Sequence, residues 1–162
     1  MCIKDCFTKE WQGYQYSRSC LSRYAIRAVE DAVLRAFDGG VPEDLVLRVD
    51  HGPQYISQQF RSSMNLLRIS LEYIQKHTPG DNGNVESFHS SLKIDYVWPY
   101  EFQDYREASA AIEKAFMDYN EKRLHSSVEY LPLREFRRKF LNDQSFREGY
   151  TGKLEVKMNE KR

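Results

Sequence analysis

Two periods run through the apolar positions of this chain, one of strands and one of helices. Residues 1–6 read as the end of a strand, Phe7-Thr8-Lys9-Glu10 as a turn, and Trp11 to Tyr16 as an aromatic-rich strand. Ile26, Val29, Val33, Ala36 and Phe37 then recur at helical spacing, and Gly39-Gly40 with Pro42 ends that helix. Leu45 to Val49 is a short continuous apolar run, the pattern of a strand covered on both faces. A helix over Ser57 to Leu67 and a strand over Ser70 to Ile74 follow. The order β-β-α-β-α-β-α predicts an α/β domain, in which a leading hairpin joins parallel strands.

Thr78-Pro79-Gly80-Asp81-Asn82-Gly83 is a dense turn cluster, predicted to be mobile. Beyond it Val85, Phe88, Leu92 and Tyr96 mark one helix face, and Glu86, Ser90 and Lys93 lie on a neighbouring one. Tyr105, Ala108, Ile112, Ala115, Phe116 and Tyr119 form the stripe of a further long helix. Pro132 opens a basic helix that ends in Arg137-Arg138-Lys139, a run that reads as a solvated face. From Asn142 onward the pattern weakens. The pattern predicts one domain over residues 1–140 and a poorly ordered tail over 141–162.

Composition narrows the class. The 162 residues are 41% hydrophobic and 14% aromatic, which excludes wholesale disorder. Lysine plus arginine total 24, and so do aspartate plus glutamate. The zero net charge excludes a strongly basic nucleic-acid binder and leaves room only for a local basic groove. Cys2, Cys6 and Cys20 have no metal-ligand spacing and read as reduced thiols, which fits the cytoplasm. No apolar run approaches the roughly 18 residues of a membrane span, and the charged opening Met1-Cys2-Ile3-Lys4-Asp5 is unlike a signal peptide.

Two carboxylates are the candidate chemistry. Asp50 ends the apolar strand, where open α/β sheets place their ligands. Glu86 follows after 35 intervening residues, at the launch of a helix. Acids from two elements can share a divalent ion over a phosphate. In a chain with 24 acids, spacing alone is a weak signal, and the flanks strengthen it. Gly52 permits close backbone approach, Gln54 and Tyr55 offer neutral phosphate or sugar contacts, Asn82 sits in a polar turn, and Lys93 projects beside Glu86.

Asp50-His51-Gly52-Pro53-Gln54-Tyr55, followed by Asp81 through Lys93 with Glu86 inside it, resembles the catalytic core of IS3-type insertion-sequence transposases of the retroviral-integrase superfamily. Tyr119-Asn120-Glu121-Lys122-Arg123-Leu124-His125 and Tyr130-Leu131-Pro132 are similar to the segment that closes that core, and Asp5 to Tyr14 to its second and third strands. The resemblance implies an RNase H-like α/β fold, a mixed sheet flanked by helices with its first strand missing. It implies a D,D(35)E site in which Asp50 and Glu86 bind Mg²⁺ or Mn²⁺ and cut and join DNA. The first acid of that site would lie upstream of Asp5, so the strand transfer implied for the family would be impaired in this chain. The implied partners are transposon-end and target DNA and further copies of the chain in a bacterial cytoplasm, with no membrane. A non-catalytic remnant that binds DNA or self-associates is the alternative. His89 reads as a packed histidine, and His125 reads equally as a structural helix-end residue and as a DNA-facing one.

Overall fold

The computed structural model describes residues 1–74 and 87–159. Asn82, Glu86 and the predicted mobile turn fall outside them. The chain divides into two compact units, one of Met1–Asp5 with Trp11–Ala115 and one of Cys6–Glu10 with Phe116–Arg162.

In the first unit β1 (Cys2–Lys4) and β2 (Trp11–Tyr14) form an antiparallel ribbon with Ile3 opposite Gly13. Helix α1 (Ser22–Phe37) covers it with Ala25, Ile26, Ala28, Val29, Ala32 and Val33, a stripe at intervals of three and four. The helix stops where Asp38 turns left-handed at φ 51°, just ahead of Gly39 at φ 84°. Gly13 is where the layers touch: a Cβ there would lie 2.4 Å from the Ala28 carbonyl oxygen and 2.7 Å from the Ala32 nitrogen.

A second ribbon pairs β3 (Val46–Val49) in parallel with β4 (Ser70–Tyr73). The crossover runs through α2 (Pro53–Ile56) and α3 (Gln58–Leu66). The Ser57 hydroxyl caps α3 by accepting from the Phe60 N–H at 3.2 Å. Phe60 and Met64 are fully buried against Ile26, Val29, Val33, Val49 and Ile69. The expectation of a doubly covered β3 is corrected. Leu47 and Val49 turn inward, whereas Val46 is 54% exposed. Arg48 faces out and bonds Glu72 across the ribbon at 2.8 Å. Val46 is a lone apolar residue on a polar face, so the run Leu45-Val46-Leu47 concealed a period of two.

Among the described strands the sheet is not continuous; β1 and β3 each pair with one neighbour only. Met1 and Ile3 of one ribbon and Leu47 and Val49 of the other nevertheless pack into one cluster on α1.

Residues 87–92 form helix α4, which widens into a π-helical turn at Lys93–Val97. Helix α5 (Tyr105–Glu121) follows. Its residues to Ala115 belong to the first unit, and those from Phe116 to the second.

The second unit adds the short pair β5 (Leu124–His125) and β6 (Leu131–Pro132), then α6 (Leu133–Asn142) and α7 (Gln144–Asn159). Rings of Phe7, Phe140, Phe146 and Tyr150 surround the buried Phe136, with centroids 4.8 to 6.1 Å from it. Where the sequence predicts a weakly patterned tail, α7 is docked through Tyr150, whose hydroxyl donates to the Ser127 carbonyl at 2.9 Å. The basic run is more than a solvated face. Glu10 is only 4% exposed, and Arg137 and Arg134 reach its carboxylate at 3.2 and 3.4 Å.

Candidate active site

Asp50 lies one residue beyond β3, at the C-terminal end of a parallel strand, and its carboxylate is exposed. One oxygen accepts the Gly52 N–H at 2.7 Å, an Asx-type turn that fixes the side chain over the loop. Among the described residues no cation pairs with it. Gln54 folds back over the same glycine: a Cβ on Gly52 would lie 2.6 Å from Gln54 Nε2 and 2.8 Å from Asp50 Oδ1. The loop therefore converges one carboxylate and one amide group above a position where any added side chain would displace them.

Tyr55 forms the floor. Its ring stands edge-on to Phe60 at 5.3 Å, and its carbonyl accepts the Tyr73 hydroxyl at 3.1 Å. Burial pushes the Tyr55 phenol above its usual value of 10, against a hydrogen bond with Gln54 and helped by the Asp50 carboxylate. His51, exposed, sits 5.3 Å from the Tyr73 ring.

The helix that follows residue 86 is anchored at two points. Phe88 lies against Trp11 with centroids 3.7 Å apart, and both side chains are buried. His89 Nε2 lies 3.7 Å from Cys2 Sγ on β1. Burial pushes the Cys2 thiol up to about 11, so it is neutral at pH 7. Burial, with the chain's amino group and Lys93 beside it, holds His89 below its usual 6.5. Cys2 thus ties β1 to α4. Sequence reading missed Cys2 because the pair it makes with His89 spans 87 residues.

Lys93 projects from the start of the π-turn, exposed, and pairs with no carboxylate of the described residues. The structure thus brings Asp50, Gln54 and Tyr55 together on one loop and puts Lys93 in the same unit. Glu86 and Asn82 are outside the described residues. His125 belongs to the second unit, on β5, with its ring 4.7 Å from Tyr119.

As a ligand set for a hard divalent ion, Asp50 fits: an exposed carboxylate oxygen donor with no cation partner among the described residues. It is a single ligand. Among the described residues no three His, Cys, Asp or Glu side chains come together.

Residues 67–132, from the end of α3 through β6, match the family model described as integrase core domain. The chain is 30% identical over 134 residues to the transposase of insertion sequence element IS904 from Lactococcus lactis, covering 82% of this chain and 51% of that protein. Residues 67–132 belong to the integrase-core family. Two other relatives are an uncharacterised 31.7 kDa protein of insertion element IS407 from Burkholderia multivorans and the transposase InsD of IS2 from Escherichia coli. They are 30% and 31% identical, covering 83% and 66% of this chain and 47% and 36% of their own. The chain spans about half the length, or less, of these curated relatives. In fold this integrase core is similar to a chain of the simian T-cell lymphotropic virus intasome solved with the PP2A regulatory subunit B56 gamma. The TM-score is 0.62 at 21% identity, over 77% of this chain and 43% of that one. It is also similar to the catalytic core domain of BIV integrase, with a TM-score of 0.51 at 21% identity, over 78% and 80%. The RNase H-like expectation is borne out. The matched segment takes in Glu86 and Lys93 but starts after Asp50. No helix among the described residues is long and apolar enough to cross a membrane.

Proposed function

We propose that this integrase core is the nuclease part of a DDE-type transposase, acting on DNA through a divalent ion held by Asp50 and Glu86. One observation carries the reading: an exposed carboxylate at the end of a parallel strand, with no cation partner among the described residues, in a chain that matches this family. Mg²⁺ or Mn²⁺, when bound, supplies charge neutralisation and a more acidic water at the scissile phosphate. The rest falls to the chain. Gly52 keeps the backbone low, so that a phosphodiester can approach Asp50. Gln54 and Tyr55 offer neutral hydrogen bonds to phosphate or sugar, and Lys93 contributes a cation to the backbone. Asn82 and His125 are proposed as further DNA contacts, and additional copies of the chain as companions on the DNA.

The test is nicking of supercoiled plasmid with Mg²⁺ or Mn²⁺, comparing the parent with Asp50→Asn and Glu86→Gln. Each substitution should lower nicking by roughly 100-fold, the scale of one charge-stabilising group. A parent that cuts while both variants cut equally well would overturn the assignment.

The second reading is a core that binds DNA without cutting it. DNA binding with no metal-dependent nicking by the parent would select it.

A further inference from the structure

Trp98 is 70% exposed, in contrast to the other tryptophan, Trp11, at 4%. An exposed indole is a broad, flat, electron-rich ring, the side chain best shaped to stack on another flat ring. The backbone at this point is unusual as well. From Lys93 the helix widens, and the Trp98 N–H donates to the Lys93 carbonyl at 2.8 Å, an i→i+5 bond. In an α-helix residue i+5 points well away from residue i. The wider turn brings it back above residue i, so the π-turn sets the indole over the side that carries the Lys93 ammonium. Ser87 and Ser90, both exposed, precede Lys93 on α4. Ile94 and Tyr100 are exposed beside Trp98 in the sequence.

We infer that Trp98 stacks on an unpaired nucleobase of a DNA strand whose backbone phosphate is held by Lys93. The proposal rests on the DNA reading above and names the part of the DNA this face recognises. Hydroxyl, ammonium and indole in succession match phosphate, phosphate and base along a single strand. Asp95 and Glu101 offset part of the lysine's charge, so phosphate attraction alone is weak here and stacking supplies the affinity. A protein partner fits less well. Three apolar side chains among Lys93, Asp95 and Glu101 fall short of the charge-depleted core of a stable interface, about 800 Å² on each partner.

The experiment measures binding in EDTA, where no strand is cut, so its outcome is separate from that of the nicking assay. The probes are a duplex with a short single-stranded overhang and the same duplex with blunt ends. The overhang should quench the exposed, red-shifted tryptophan emission of the parent, and Trp98→Phe should abolish that quenching. Trp98→Ala should weaken overhang binding by about 5- to 150-fold, the worth of one stacked base, and Trp98→Phe should restore most of it. Blunt-duplex affinity should stay the same in both variants, which also reports that they fold. Equal overhang affinity of the parent and Trp98→Ala would overturn the proposal. So would a tryptophan blue shift that grows with protein concentration in the absence of DNA, since the indole would then be covered by a second copy.

Discussion

At Gly52 a missing side chain lets Asp50 and Gln54 lean over the same spot. A methyl group there would meet the ends of two flexible side chains rather than backbone. Gly52→Ala should therefore cost under about 1 kcal/mol of stability, yet displace the Asp50 carboxylate by enough to lower metal-dependent nicking by up to about 100-fold. Thermal melting and plasmid nicking on the same preparation separate the two effects, and a variant that nicks like the parent would show that the placement of Asp50 is not critical. At this scale the sequence was readable wherever the chemistry is contiguous. Asp50, Gly52, Gln54 and Tyr55 fall within six residues and declare themselves as a loop. Cys2 and His89 do not, because nothing local in either residue's neighbourhood records a contact made through the fold.

Among the elements, α1 and α3 were legible because burial on one face imposes a helical period on the residues themselves. Gly13 shows the opposite case. In sequence it is a weak strand residue, and only the structure reveals α1 backbone where a side chain at this position would have to go. Gly13→Ala should push the β1–β2 ribbon off α1 and cost about 3 kcal/mol or more, the upper range of overpacking. Urea denaturation measures it, and a midpoint equal to the parent's would mean that the two layers separate more easily than their spacing implies. The π-turn at Lys93–Val97 had no sequence signature, since an i→i+5 bond needs no particular residue. Helix α7 was hidden for a different reason: its apolar docking rests on two rings, Phe146 and Tyr150, too sparse a signal to form a stripe.

For the molecule as a whole, balanced charge sets the expected strength of DNA binding. A neutral chain with a few local cations should release few counterions. The logarithm of affinity should fall with the logarithm of salt at a slope of roughly −1 to −3, one to three phosphates neutralised. Fluorescence anisotropy across a salt series reads this directly, and no binding even at low salt would remove DNA as the partner. The family was legible at this scale because its blocks survive as short runs of sequence. The division at Ala115 was not, since α5 carries its apolar stripe straight across it.

The outward pair of Arg48 and Glu72 has a consequence for the newly made polypeptide. Leu45 to Val49 is rich in residues that favour cross-β stacking, and a parallel partner must be awaited until Ser70 to Tyr73 emerges. During that interval the guanidinium acts as a gatekeeper, breaking an otherwise greasy pentapeptide that would adhere to its own kind. The arginine's charge thus counts for more before Glu72 arrives than the exposed ion pair does afterwards.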